Sequence, residues 1–134
     1  MNCTFTRSNF FDASFIGCKL TGTVFDRCKF GILRVSGGEW SFVSMPGADL
    51  RNAAFEDVRI READLTGARF DGSSVRRVDL SGAWLHHAQM TGCDLRGSDI
   101  SALDPRNVDL NGAIVDVDQA VVVATALGID VRPE

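Results

Sequence analysis

Few residues in this chain have types and spacings that could do chemistry. They are four cysteines (Cys3, Cys18, Cys28, Cys93), the adjacent His86 and His87, and aspartates that return at Asp94, Asp99, Asp104 and Asp109. Structural zinc sites pair ligands two to four residues apart, and the two nearest cysteines here, Cys18 and Cys28, are ten apart. The thiols are therefore expected to be free and buried. His86 and His87 have no third His or Cys nearby in sequence, which allows at most an adventitious metal contact, so no metal site and no cofactor are expected. No nucleophile elbow, phosphate loop or catalytic carboxylate pair is recognisable, and the chain does not read as an enzyme. The aspartates at a spacing of five remain, and their meaning depends on what kind of backbone repeats every five residues.

That backbone shows in the apolar residues. Positions 5, 10, 15 and onward to 115 are Phe5, Phe10, Phe15, Leu20, Phe25, Phe30, Val35, Trp40, Met45, Leu50, Phe55, Ile60, Leu65, Phe70, Val75, Leu80, Leu85, Met90, Leu95, Ile100, Pro105, Leu110 and Val115, with Pro105 the one departure. A period of five is neither the 3.6 of a helix nor the 2 of a strand. Two residues before most of these stands a small one, including Ala13, Cys18, Thr23, Ala48, Ala63, Ala88 and Cys93. If both positions point inward, the chain turns a corner every pentad and closes a square after twenty residues. Stacked squares would pair as parallel strands about 4.8 Å apart. Phe10, Phe30, Leu50, Phe70, Met90 and Leu110 would then form one internal ladder. Ten of the thirteen glycines, at 17, 22, 37, 47, 67, 72, 82, 92, 97 and 112, stand two after the large residue, where a corner with positive φ explains them.

Ala48-Asp49-Leu50-Arg51-Asn52, Ala63-Asp64-Leu65-Thr66-Gly67 and Cys93-Asp94-Leu95-Arg96-Gly97 resemble the motif of the pentapeptide-repeat family. The resemblance covers about residues 3 to 115. It implies a right-handed quadrilateral parallel β-helix of about five and a half coils, with residues 1–115 as the helix proper. Between Gly31 and Gly47 the small position holds Leu33, Gly38 and Val43, so wider or irregular coils are expected there.

After Val115 the period stops. The stretch from Asp116 to Gly128 predicts a short helix, capped at its start by Asp116 or Asp118 and ended by Gly128. Its apolar residues surround nearly the whole circumference, so packing on the last coil would leave a face uncovered. Residues 116–134 therefore read as a capping helix and dimerisation segment, with Val121, Val122, Val123, Thr125, Ala126, Leu127, Ile129 and Val131 as the expected interface, Ile129 and Val131 forming a short strand. Leu103-Asp104-Pro105-Arg106-Asn107-Val108-Asp109-Leu110-Asn111-Gly112, with Gln119 and Leu127-Gly128 after it, resembles the C-terminal module of the quinolone-resistance (Qnr) branch. Val115-Asp116-Val117-Asp118-Gln119-Ala120-Val121 also looks like the mycobacterial fluoroquinolone-resistance relative. What this implies is a homodimer joined at its C-termini that acts on DNA gyrase by imitating duplex DNA, leaving open whether gyrase is protected or inhibited.

The charge pattern gives that reading its candidate residues. Fourteen basic and eighteen acidic residues make a net charge of −4, which argues against binding nucleic acid directly. Residues 1–60 hold seven basic and six acidic groups, 61–93 four and four, and 94–134 three and eight. Elsewhere the twenty-residue register pairs opposite signs: Lys19, Glu39, Arg59 and Asp79 in one column, Glu56 with Arg76, and Asp57 with Arg77. Asp79 over Asp99 is a like-charge pair that a cationic partner would relieve. Trp84 falls on the outer wall between Asp64 and Asp104. The candidate partner-binding set is thus Asp79, Trp84, Asp94, Asp99, Asp104 and Asp109. The competing reading is a structural or assembly module that binds another basic partner, with its aspartates serving the backbone. No apolar run approaches the roughly 18 residues of a membrane span, and no secretory leader is visible at the N-terminus, so a cytoplasmic location is expected.

Overall fold

The computed structural model describes residues 3–133; Met1, Asn2 and Glu134, at the outer bounds of the two expected segments, lie outside the described residues. The chain is a four-sided parallel β-solenoid followed by one helix. Short strands mark two of the sides: β1 (Thr4–Thr6) and β3 (Val24–Asp26) on one, and β2 (Ala13–Ile16), β4 (Leu33–Ser36), β5 (Ala54–Glu56) and β6 (Ser74–Arg76) on another. Every pairing joins residues twenty apart, from Thr4↔Val24 to Asp94↔Ile114. The coil length inferred from the period is therefore the coil length of the fold.

The corners explain the spacing. All ten glycines two after a large residue have positive φ, and among the described residues nine non-glycine residues at the same position of the pentad adopt it too: Arg7, Asp12, Arg27, Phe42, Asn52, Asp57, Glu62, Arg77 and His87. The left-handed region costs an L-residue on the order of 1–2 kcal/mol. Asn and Asp tolerate it through their short side chains, whereas a bulky ring does not. Phe42, at φ 62° and 59 % exposed, thus carries strain without burying its ring.

Inside, the large residues stack coil upon coil. Phe10 lies on Phe30 with ring centroids 5.5 Å apart and planes at 11°, and Phe5 on Phe25 at 5.4 Å. Leu50, Phe70 and Met90 continue the Phe10–Phe30 ladder fully buried. Trp40 is wholly buried and shares its side with Gly38, where an added Cβ would come within 2.3 Å of the Cys18 carbonyl oxygen on the coil below. Leu33 sits between Ala13 and Ala53 in its column, and Val43 between Thr23 and Ala63, so each larger residue is flanked by smaller ones. The twenty-residue register consequently persists on three sides of this stretch. On the fourth the ladder is interrupted between Lys29 and Asp49, beside Gly31, and a groove of about 360 Å³ lined by Phe11, Ile32, Arg51 and Asn52 opens there.

The cysteines correct an expectation. Only Cys93 is buried; Cys18 and Cys28 are half-buried, and Cys3 is exposed. The three outliers belong to the first two coils, which have fewer coils to shield them; Phe5, Phe10, Phe15 and Leu20 are likewise only partly buried.

At the other end the helix α1 (Val117–Ala126) starts at Asp116, whose carboxylate accepts the Gln119 N–H while the Gln119 side chain accepts the Asp116 N–H. This capping box has a second role. Along the wall, an N–H on one coil donates to a carbonyl nineteen residues on, as Leu95 to Ile114, and a carbonyl accepts from an N–H twenty-one on, as Cys93 from Ile114. The next pairs would be Gly97 with the carbonyl of residue 116 and the N–H of residue 119 with Ser98. In their place the Gly97 N–H donates to the Asp116 carboxylate at 3.0 Å, and the Gln119 side-chain amide donates to the Ser98 carbonyl at 2.9 Å and to that of Leu95. Side chains thus continue the ladder after the backbone has turned into a helix. Gln119→Ala should leave the buried Ser98 carbonyl without its donor, while Leu95 keeps the Ser98 N–H, lowering stability by about 1–3 kcal/mol; denaturant unfolding measures the loss, and amide exchange should show Val121–Ala126 opening first.

Candidate partner-binding surface

The coil geometry distributes the six sequence-predicted partner residues around the rod. Asp79 and Asp99 are stacked neighbours on one wall, and Asp64↔Trp84 pair on the next. Asp104 follows Trp84 in that second wall, but no bridge joins them: beside Pro105 the ladder is interrupted. Asp94 lies on the wall to the other side of Asp99, and Asp109 on the wall opposite. A single flat partner face can therefore meet Asp79, Trp84, Asp99 and Asp104 together, but not Asp109 at the same time. Trp84 is 61 % exposed, as its outward position requires.

Each of these aspartates also serves its own backbone. The carboxylate accepts the N–H two residues on, at 3.2 Å for Asp94 from Arg96, 3.0 Å for Asp99 from Ser101, 2.9 Å for Asp104 from Arg106 and 3.1 Å for Asp109 from Asn111. Asp49, Asp64 and Asp79 make the same bond. An Asp before the large residue therefore closes the turn at the corner, and it is one reason the motif carries Asp whatever the partner. Asp94 is further held by the Arg96 guanidinium, at 3.0 and 2.8 Å, which lowers its pKa below the ordinary carboxylate value. Asp79 is not an unrelieved charge. Burial raises its pKa, but hydrogen bonds from Ser81, with Arg61 at 3.8 Å and Arg59 nearby, outweigh that and leave it lowered.

The wall's ion pairs follow the register with one exchange. Lys19, Glu39, Arg59 and Asp79 stack as expected, Arg59 reaching Glu39 at 3.7 Å. Asp57 meets Arg77 at 2.8 Å. Glu56, however, binds Arg77 and not Arg76. Arg77 occupies a left-handed corner beside both acids, and one fork there serves two carboxylates. His86 and His87 are both exposed, and among the described residues no group of His, Cys, Asp and Glu is arranged to hold a metal.

The helix end offers the second predicted surface. Val121, Val122, Leu127, Ile129 and Val131 are exposed apolar residues, and Thr125 and Ala126 are exposed beside them. Val123 departs from the expected interface: it turns inward and packs against the core. Ile129 and Val131 belong to no strand within the single chain. Between the last coil and the helix, Leu110, Ala113, Val115, Ala120, Val123, Ala124, Leu127 and Ile129 line an open apolar groove of about 310 Å³. Among the described residues no helix is long and apolar enough to cross a membrane.

Comparison with known proteins agrees with this architecture. A family model described as "Pentapeptide repeat region" matches residues 8–84, and one for "Pentapeptide repeats (8 copies)" matches residues 73–115. No curated protein matches the chain. Among solved structures, HetL, a pentapeptide repeat protein involved in heterocyst differentiation regulation in the cyanobacterium Nostoc, is 20 % identical with a TM-score of 0.72, over 87 % of this chain and 65 % of HetL. The chain thus spans just under two thirds of HetL. A trypsin-treated variant of QnrB1, a plasmid-mediated fluoroquinolone resistance protein, is 21 % identical with a TM-score of 0.50, over 96 % of this chain and 80 % of that one. At these identities the likeness is one of fold.

One buried group gives the wall a measurable pH dependence. Burial pushes the Cys93 thiol up from 9.0 to about 11, against the opposing effect of the hydrogen-bonding contact with Ser73. The folded state therefore keeps a proton that the unfolded state gives up. The associated stability, about 2–3 kcal/mol, should be complete below pH 9 and lost as pH rises through about 11. Unfolding free energies measured across this range should fall more steeply for wild type than for Cys93→Ala, which keeps a motif-compatible small residue.

Proposed function

The chain belongs to the pentapeptide-repeat family, and from that premise we propose that it is a non-enzymatic binding protein, a homodimer joined through residues 116–134, that engages DNA gyrase or another type II topoisomerase where duplex DNA would lie. The observation that carries the reading is the placement of charge on a rigid rod. Eight acidic and three basic groups fall in residues 94–134, next to the apolar end where a second copy would join. The choice of gyrase rests on the resemblance of the C-terminal stretch to the quinolone-resistance branch. QnrB1, with the same fold, is a fluoroquinolone resistance protein.

Magnitudes decide how such mimicry would work. At about 4.8 Å per coil the solenoid is an arm of roughly 27 Å, over which duplex DNA would present about 16 phosphate charges. The chain has a net charge of −4. Mimicry along the whole arm is therefore excluded, and contact would concentrate at the dimer centre, where two C-terminal segments sum to about −10. Asp79, Trp84, Asp94, Asp99, Asp104 and Asp109 are the residues assigned to it. The alternative, an assembly module for another basic partner, is favoured by the backbone role of these same aspartates and by the differing roles of the structural neighbours.

Two measurements test the reading. Light scattering should give about twice 14.5 kDa, and a monomer at high micromolar concentration removes the interface. In a supercoiling assay with purified gyrase, the wild type should alter activity, and added salt should weaken the effect because exposed charges are screened beyond about 8 Å. Replacing Asp94, Asp99, Asp104 and Asp109 by Asn keeps an oxygen for each turn while deleting four charges; an effect undiminished in this folded, dimeric variant ends the mimicry mechanism. No effect of the wild type leaves the assembly role.

A further inference from the structure

Among the corners of the rod, one carries a residue that the fold does not ask for. The column Gly22, Phe42, Glu62, Gly82 and Ala102 forms the edge between the wall of Asp79 and Asp99 and the wall of Trp84 and Asp104. Phe42 stands there in the left-handed region with its ring in solvent, at a position that glycine fills one coil below and two coils above. Ser41, Phe42, Arg61, Glu62, Ser81 and Gly82 line a groove of about 330 Å³ along this edge, and the Glu62 side chain lies over Gly82. Four successive passages of the chain build the edge, residues 39–44, 59–64, 79–84 and 99–104. They hold six acidic residues (Glu39, Glu62, Asp64, Asp79, Asp99, Asp104) and two basic ones, Arg59 and Arg61, both engaged with Glu39 and Asp79. The opposite edge, over residues 49–54, 69–74, 89–94 and 109–114, holds four acidic and two basic residues, and its exposed ring, Phe11, stands two coils below these passages.

We propose that the Phe42–Trp84 edge is a docking groove for a cationic protein segment that inserts an apolar side chain beside Phe42. Aromatic anchors with a charged rim are the usual composition of a binding hot spot. A local excess of four negative charges selects a Lys- or Arg-bearing partner and rejects nucleic acid. An apolar partner surface of neutral charge would leave the carboxylates desolvated, so the anchor and the rim must be met by one amphipathic segment. The proposal rests on reading the rod as a binding module, but not on that module's partner being a topoisomerase. It also adds Phe42, Glu62 and Asp64 to the partner-binding residues, on the side of the rod that Asp109 does not share.

The chain itself supplies the probe. Trp40 is wholly buried and Trp84 is exposed, so a change in tryptophan emission on binding reports Trp84. Titration with a synthetic twelve-residue peptide alternating Lys and Leu should shift that emission to the blue at low salt, whereas peptides alternating Lys with Ser or Glu with Leu should not. Phe42→Asn keeps a residue that tolerates the corner, so its melting temperature should equal or exceed that of wild type, while the Lys/Leu peptide binds about tenfold more weakly or worse. Phe11→Asn, removing an exposed ring from the opposite edge, should leave binding unchanged. Equal affinity of wild type and Phe42→Asn, or equal binding of the Lys/Ser peptide, overturns the proposal. So does a wild type whose self-association Phe42→Asn abolishes, since a second copy is then the occupant. A Phe42-dependent peptide complex in a protein inert toward gyrase keeps the groove and removes the topoisomerase. A gyrase effect that is indifferent to Phe42→Asn, with no peptide complex, does the reverse.

Discussion

Everything in this molecule hangs on hydrogen bonds between residues twenty apart. Each coil's N–H and C=O groups find their partners on the coils above and below, so no coil can widen or slip without stranding a row of polar groups. The register fixes the perimeter, the perimeter fixes four corners, and the corners fix the pentad. Two inward positions per side then leave room for one large and one small residue. The Trp40–Gly38 side shows how close the coils lie: a Cβ at Gly38 would meet the Cys18 backbone, and beside it the indole N–H of Trp40 is buried without a hydrogen-bond partner. Nine non-glycine residues adopt positive φ because the ladder over-determines their conformation, which is how strain persists in a folded chain.

A stack held by such a register has an edge problem at each end, and the two ends meet it differently. At the C-terminal end Asp116 and Gln119 present side-chain atoms at the places where backbone groups of the next coil would stand, so the wall is satisfied while the chain leaves it. At the N-terminal end the first coil's large residues are only partly buried. Cys3, Cys18 and Cys28 are the visible consequence, since they hold the same inward register as Cys93 without the same cover. Position in the pentad sets direction; position along the stack sets burial.

This division explains which features the sequence revealed. Coil length, the Phe10-to-Met90 ladder, the positive-φ glycines and the exposure of Trp84 all follow from phase, because the backbone geometry repeats, whereas beyond the last pentad the cap could be read only as Asp116 or Asp118. What phase does not determine was missed. Glu56 choosing Arg77 over Arg76 depends on how a left-handed corner aims one guanidinium, an energy difference of a few tenths of a kcal/mol at an exposed site. Val123 turns inward because the helix sits on the last coil at an angle that no period encodes. Gln119 reads in sequence as an ordinary helical residue, and its role appears only when residue 119 is counted twenty-one positions on from Ser98. That count was available from the sequence, and it is the signal that could have found it.

The same division bears on function. Because Asp before the large residue closes the turn with its carboxylate, the fold itself selects for acid on its outer wall, and a rod of this kind becomes acidic without any partner having shaped it. Carboxylate number is then a poor guide to recognition. Residues that the ladder neither needs nor favours are a better one: an aromatic ring held at φ 62° in water, a tryptophan on an open wall, a glutamate laid across a glycine corner. All three lie on one edge, where the acid that the fold supplies surrounds apolar groups that it does not. General electrostatic attraction comes from the repeat; selectivity among basic partners has to come from Phe42, Glu62 and Trp84, because they are what distinguishes this edge from any other stack of pentads.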